Sequence, residues 1–114
     1  TYRLEIDDKV IVYCTDIEHP EQHLNKNIIN FVQGADILIK DAQFTDEQLP
    51  DHKGWGHSSW DQAVKMAQKS KSKQLALYHY SPDYNDTKIK SIESDAKKIF
   101  NQTIAAKQGL VIYL

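Results

Sequence analysis

Five short apolar runs alternate with three helical patterns along the chain, and this order limits the folds that it can adopt. Tyr2, Leu4 and Ile6 alternate with polar residues, as in a strand with one buried face. After the turn-forming residues Asp-Asp-Lys, a second apolar run extends from Val10 to Cys14. This pair of runs predicts a β-hairpin at the start of the chain.

Three segments place apolar residues at helical spacing. The first extends from about Glu21 to Gln33. The second begins after Ser59, which forms a capping-box pattern with Gln62. In the third, Ile89, Ile92, Ala96 and Ile99 mark a helix of about five turns, which Gly109 breaks. Each segment is long enough to cross from one strand to the next.

The remaining apolar runs, residues 35–40, 74–79 and 110–114, predict three further strands between and after these helices. Strands that alternate with helices favour an α/β layered domain in which the later strands are largely parallel and the sheet is covered by helices. The chain has 114 residues, of which 40% are hydrophobic and 26% charged. These values predict a single globular domain over residues 1–114.

Charge and cysteine content exclude several classes of function. The 14 basic residues are scattered and offset by 16 acidic ones, which argues against tight capture of a nucleic-acid backbone by this segment alone. Cys14 is the single cysteine, and we interpret it as a small buried hydrophobic residue. We find no signal peptide and no apolar run near the roughly 20 residues of a membrane span, so we expect a cytoplasmic protein without a membrane partner. Because the sequence enters a strand pattern without an initial Met, we expect a fragment or a processed chain.

Four side chains with metal-binding or acid–base chemistry lie near the ends of predicted strands. Asp16, Asp41 and His79 each follow a strand, and His57 lies in the crossover between two of them. Loops at the carboxyl ends of parallel strands meet at one edge of the sheet, so we expect these side chains to converge. Imidazole and carboxylate are ligands for zinc, manganese and iron, although a catalytic zinc ordinarily takes three protein ligands.

Structural interpretations of the same residues remain open on these grounds. Asp16 and Asp41 have the residue type of helix caps and Asx turns. His79 interrupts an apolar run, as a buried histidine with hydrogen-bond partners does, and His57 is equally compatible with a glycine-containing turn. We expect three further histidines, which lie in polar stretches, to be solvated: His19, His23 and His52.

Three runs resemble the C-terminal half of the metallo-β-lactamase superfamily, and in particular its ribonuclease Z and phosphodiesterase-like branch. They are VIVYCTD (10–16), GADILIKDAQFTDEQLPDHKGWGHSSWDQAVKMA (34–67) and LALYHYSPDYND (75–86). The resemblance implies that the chain is the second half of an αββα sandwich. The H-x-H-x-D-H motif of that family does not occur in this sequence, so we expect an N-terminal half of the same fold to supply most metal ligands.

The resemblance also implies roles for individual residues. Asp16 matches the carboxylate that bridges two metals, and His79 matches the last metal-binding histidine. His57 matches a histidine that is not a ligand and acts as a proton donor at the scissile phosphate. Asp41 matches the acidic residue that orients this histidine. Lys40 stands where relatives often carry His.

Within KGWGHSSW (53–60), we expect Gly54 and Gly56 to allow a tight turn beside the site. Trp55 and Ser58 are predicted to line the substrate pocket. Trp60 is predicted to pack in the core, because it shares a helix face with small apolar residues.

The function implied by the resemblance is hydrolysis of a phosphodiester small molecule or nucleotide with two divalent metal ions. Zinc is the first choice of metal, with manganese or iron as alternatives. Because the upstream ligands are missing, we expect poor metal occupancy and no activity in the isolated chain, and a homodimer is a further expectation. The alternative from another class is a non-catalytic α/β binding or assembly module that docks through its sheet.

Overall fold

The computed structural model describes residues 1–20 and 23–114, and its strands and helices follow the predicted order. Five strands are formed: β1 (Tyr2–Ile6), β2 (Lys9–Cys14), β3 (Ile37–Asp41), β4 (Leu75–Tyr78) and β5 (Thr103–Ala105). The helices are α1 (Lys26–Phe31), α2 (Trp60–Lys69), α3 (Asp86–Ile99) and a short 3-10 helix (Leu49–His52). In these described ranges, no helix combines the length and the apolar character that crossing a membrane requires.

The strands form one sheet in the order β1-β2-β3-β4-β5. The predicted hairpin is confirmed, since β1 and β2 pair antiparallel, and the later strands pair in parallel. Val12 lies opposite Leu38, Leu38 opposite Leu75, and Leu75 opposite Thr103. All four of these side chains are fully or almost fully buried. The predicted α/β class is confirmed, and the carboxyl ends of β2, β3 and β4 share one edge.

The hydrophobic core lies on one face of this sheet. Alternate strand residues such as Cys14, Leu38 and Leu77 pack in one cluster with Val64 of α2 and Ile92 of α3. Each large apolar side chain buried in this way contributes about 1.5–3 kcal/mol to folding. Cys14 is buried as predicted, and burial raises the pKa of its thiol.

The opposite face of the sheet is apolar and open. Tyr2 lies opposite Tyr13 in the hairpin register, and Leu4 and Ile6 alternate with them on the same face. Together with Tyr78 of β4, these side chains are 36–68% exposed. Contiguous exposed apolar surface of this kind marks an interaction face more often than free surface.

The prediction of a last strand at residues 110–114 is wrong. The fifth strand is Thr103–Ala105, and Val111 and Tyr113 are 66% and 89% exposed. The cause is the earlier end of α3. This helix spans 14 residues, or about four turns instead of the predicted five, and it ends ten residues before Gly109. Its C-cap Phe100 is already extended, so the chain returns to the sheet after a short turn.

The first predicted helix is also shorter than expected. Part of the range 21–33 falls on residues 21 and 22, which lie outside the described residues. In the described part, α1 begins at Lys26 because the side chain of Asn25 accepts the main-chain N–H groups of Asn27 and Ile28. Trp60, expected in the core, is half-buried and packs against it from the first turn of α2.

Candidate active site

Three of the predicted site residues meet at the carboxyl edge of the sheet. Asp16 follows β2, His79 follows β4, and His57 lies shortly before α2. Asp16 Oδ1 lies 3.6 Å from His57 Nδ1 and 3.8 Å from His79 Nε2. The two imidazole rings stack with their centroids 4.9 Å apart. One ligand atom from each residue lies within 4.8 Å of the others, a spacing that suits a metal ion.

The backbone turns sharply at both predicted metal ligands. Asp16 has a φ of 55° and His79 a φ of 53°, in the left-handed region. This conformation costs roughly 1–2 kcal/mol for an L-residue, although Asp and His adopt it more often than most. Strain of this kind occurs preferentially where a fold holds functional side chains. Asp7 and Lys71 adopt the same conformation in turns outside this edge, so the grouping of the side chains, and not the backbone conformation, marks the site.

Asp41 lies directly behind His57. Its carboxylate is fully buried, and Oδ2 accepts the main-chain N–H of Ser58 at 2.7 Å. The same oxygen lies 3.8 Å from His57 Nδ1, which is buried and has no hydrogen-bond partner within the described residues. A carboxylate in this position orients an imidazole ring and favours a hydrogen on the nearer nitrogen.

Lys40 is fully buried beneath these residues. Its Nζ donates to Asp41 Oδ1, to Ser58 Oγ at 2.6 Å and to the main-chain oxygen of Ile17 at 3.5 Å. Ser58 Oγ also donates to that oxygen. A buried ammonium is tolerated only when it is paired and hydrogen-bonded, and here these acceptors meet that requirement. The network joins the segment after β2 to β3 and to the segment before α2.

The sequence did not predict this hydrogen-bond network. Lys40 was noted there only because it stands where relatives often carry His. A lysine in phase with the inward-facing Leu38 of the run DILIK was the available indication of a buried cation. Ser58, predicted to contact substrate, is fully buried and contacts Lys40 instead. Its hydroxyl therefore does not face an open pocket.

Trp55 lies at the surface near the site and is 61% exposed. Its ring packs edge-on against His52, with centroids 4.8 Å apart, and His52 stacks on Phe44 at 4.2 Å. A cavity of about 600 Å³ opens beside His57 and is lined in part by His52. Trp55 contacts His52 but is not itself among the residues that line this cavity in the described part of the chain.

The structure corrects the predicted exposure of His19 and decides between the two interpretations of His79. His19, expected to be solvated, is only 5% exposed, and its Nδ1 accepts the main-chain N–H of Asn25 at 3.3 Å. Burial lowers its pKa to about 4, so the ring is neutral at pH 7. His23 is exposed as expected, and His52 is half-buried. The side chain of His79 is 41% exposed, which excludes a buried structural histidine.

Comparisons with known proteins agree with this architecture. A family model described as "Beta-lactamase superfamily domain" matches residues 1–80. Ribonuclease Z of Sulfurisphaera tokodaii is 40% identical over 82 residues, which cover 72% of this chain and 27% of that protein. Ribonuclease Z of Porphyromonas gingivalis is 31% identical over 102 residues, which cover 90% of this chain and 31% of that protein. The chain therefore spans about a third of the length of these curated relatives.

Solved structures show the same fold. The metallo-beta-lactamase fold protein YhfI of Bacillus subtilis superposes with a TM-score of 0.76 at 24% identity, over 95% of this chain and 40% of that one. Human tRNase Z, short form, gives a TM-score of 0.65 at 22% identity, over 92% of this chain and 33% of that one. With the family model matching 80 of 114 residues, the chain belongs to the beta-lactamase superfamily.

Proposed function

We propose that this chain forms the second half of a metal-dependent phosphodiesterase related to ribonuclease Z. The observation that carries the proposal is the convergence of Asp16, His57 and His79 at one sheet edge, with Asp41 behind His57. Relatives named ribonuclease Z support a phosphodiester as the substrate class.

The donor set fits divalent metal ions. Asp16 and His79 offer a carboxylate and an imidazole 3.8 Å apart on an exposed edge, and these groups suit zinc, manganese or iron. We propose two ions, held in part by these residues. When bound, such ions supply Lewis acidity, which activates water and neutralises charge on the phosphate.

His57 is proposed to donate a proton to the leaving oxygen of the substrate. Asp41 contributes by orienting the imidazole, since its carboxylate lies 3.8 Å from Nδ1. The carboxylate is itself fixed by Lys40 and by the Ser58 N–H, so it keeps a defined position behind the ring. General acid catalysis of this kind contributes about 10²–10⁴-fold in rate.

A segment that precedes this chain in the complete protein is proposed to supply the remaining ligands in an H-x-H-x-D-H motif. Two observations support a completing half. The chain spans about a third of the length of its curated relatives, and Tyr2, Leu4 and Tyr13 leave one face of its sheet apolar and open. The same face is compatible with the alternative, a non-catalytic docking module.

Turnover of bis-p-nitrophenyl phosphate separates the two functions. We expect little or no turnover by residues 1–114 alone and robust turnover by the same chain joined to its upstream coding sequence, with zinc, manganese or iron present. Asp16→Asn in the longer protein, which removes a proposed metal ligand, serves as the site-specific control. An inactive longer protein that contains H-x-H-x-D-H would contradict the phosphodiesterase and favour the docking module.

A further inference from the structure

Glu18 connects two segments that carry site residues. Its Oε2 accepts the main-chain N–H groups of Gly54 and Gly56, each at 2.9 Å, and Oε1 accepts Gly54 N–H at 3.0 Å. These bonds lower the pKa of the Glu18 carboxyl. Gly56 directly precedes His57, and Glu18 follows Asp16 by two residues.

The two glycines adopt the conformation that this contact requires. Both have a φ of +83°, which L side chains rarely adopt, and a Cβ would meet nothing within 4 Å at either position. The glycines are thus required for backbone direction rather than for space. Main-chain N–H groups that point to one side form an anion-binding concavity, and here the anion is a carboxylate of the same chain.

The contact closes a short ring of interactions around the site. From Gly56 the ring passes to His57, across 3.6 Å to Asp16, and along the chain to Glu18. Gly56 is one residue from His57, and Glu18 is two residues from Asp16. The short connections leave little freedom for His57 to move relative to Asp16 while the Glu18–Gly56 bond is intact. Lys40 joins the same two segments from the interior through Ile17 and Ser58, but Glu18 is the near-surface contact.

We propose that Glu18 is a positioning residue that holds His57 at its distance from Asp16. The proposal rests on the proposed function, in which His57 protonates the leaving oxygen. A shift of about 1 Å in a catalytic group reduces the rate by up to about 10²-fold. The shift matters for an alkoxide leaving group, which needs a proton, and matters little for p-nitrophenolate, which leaves as an anion.

The test compares Glu18→Ala and Glu18→Gln in the complete protein, with Glu93→Ala as a control at a carboxylate of α3 that pairs with Lys97. Gln retains one side-chain oxygen that can replace Oε2, so it should restore the contact. With an alkyl phosphodiester we expect kcat of Glu18→Ala to fall about 10–100-fold at unchanged KM. With bis-p-nitrophenyl phosphate the loss should stay within about threefold, and Glu18→Gln should resemble wild type on both esters.

Amide hydrogen exchange at Gly54 and Gly56 gives a readout that needs neither metal nor substrate. Exchange should accelerate in Glu18→Ala and remain slow in Glu18→Gln and Glu93→Ala. Equal exchange in Glu18→Ala and wild type would overturn the positioning role, as would equal losses of turnover on both esters. If wild type hydrolyses neither ester while exchange responds as expected, the proposed function fails and the contact stands.

Discussion

Asp41 is an anion with no access to solvent, and its nearest cation, Lys40, is equally buried. Removing one partner of such a pair leaves an uncompensated charge, which costs about 3–5 kcal/mol. We therefore expect Lys40→Met to lower the free energy of unfolding by that amount, measured by urea denaturation. The double variant Lys40→Met/Asp41→Asn should recover part of the loss. A single-variant loss below about 1 kcal/mol would show that the pair is solvated in the protein.

The side chains at the strand ends could be predicted from the sequence, whereas the contacts of Glu18 could not. Asp16, Asp41, His57 and His79 were predicted to converge because strand ends in a parallel sheet share an edge, and the structure brings them together. The contacts of Glu18 were missed. They join segments that are distant in sequence through main-chain N–H groups, which carry no residue-specific pattern.

At the scale of elements, α2 begins beside His57 because of its capping box. Ser59 Oγ accepts the N–H of Gln62, and the Gln62 side chain accepts the N–H of Ser59. Ser59 Oγ also donates to Asp46. Loss of an N-cap hydroxyl costs about 1 kcal/mol, so Ser59→Ala should lower the free energy of unfolding by about that amount. Ser59→Thr, which keeps a hydroxyl, is the matched control, and an unaltered Ser59→Ala variant would refute the capping role.

Elements with a strong local pattern were predicted correctly, and those without one were not. The hairpin and the start of α2 follow from alternation and from the capping box. By contrast, β5 has three residues, too few for a pattern, and it is defined by its pairing with Leu75–Leu77. A strand was predicted at residues 110–114 because this run is more apolar than Thr103–Ala105, but no strand forms there in the described structure.

For the whole molecule, His19 makes stability depend on pH. Its folded pKa of about 4 lies below the ordinary value of 6.5, so the unfolded chain binds a proton more readily. Stability from this group is therefore present above pH 6.5 and is lost as the pH falls toward 4. Between pH 7 and pH 5 we expect wild type to lose about 2 kcal/mol more than His19→Asn, measured by urea unfolding. Identical losses in the two proteins would contradict a buried neutral His19.

The proposed function of the whole molecule depends on a metal centre that this chain is proposed to share with a preceding half. Its most direct test is the metal content of the complete protein, measured by elemental analysis in wild type and in Asp16→Asn, His79→Asn and His57→Asn. We predict two divalent ions per chain in wild type, a clear loss in the Asp16 and His79 variants, and full retention in the His57 variant. A metal-free wild type, or a His57 variant that loses metal as the Asp16 variant does, would contradict the account.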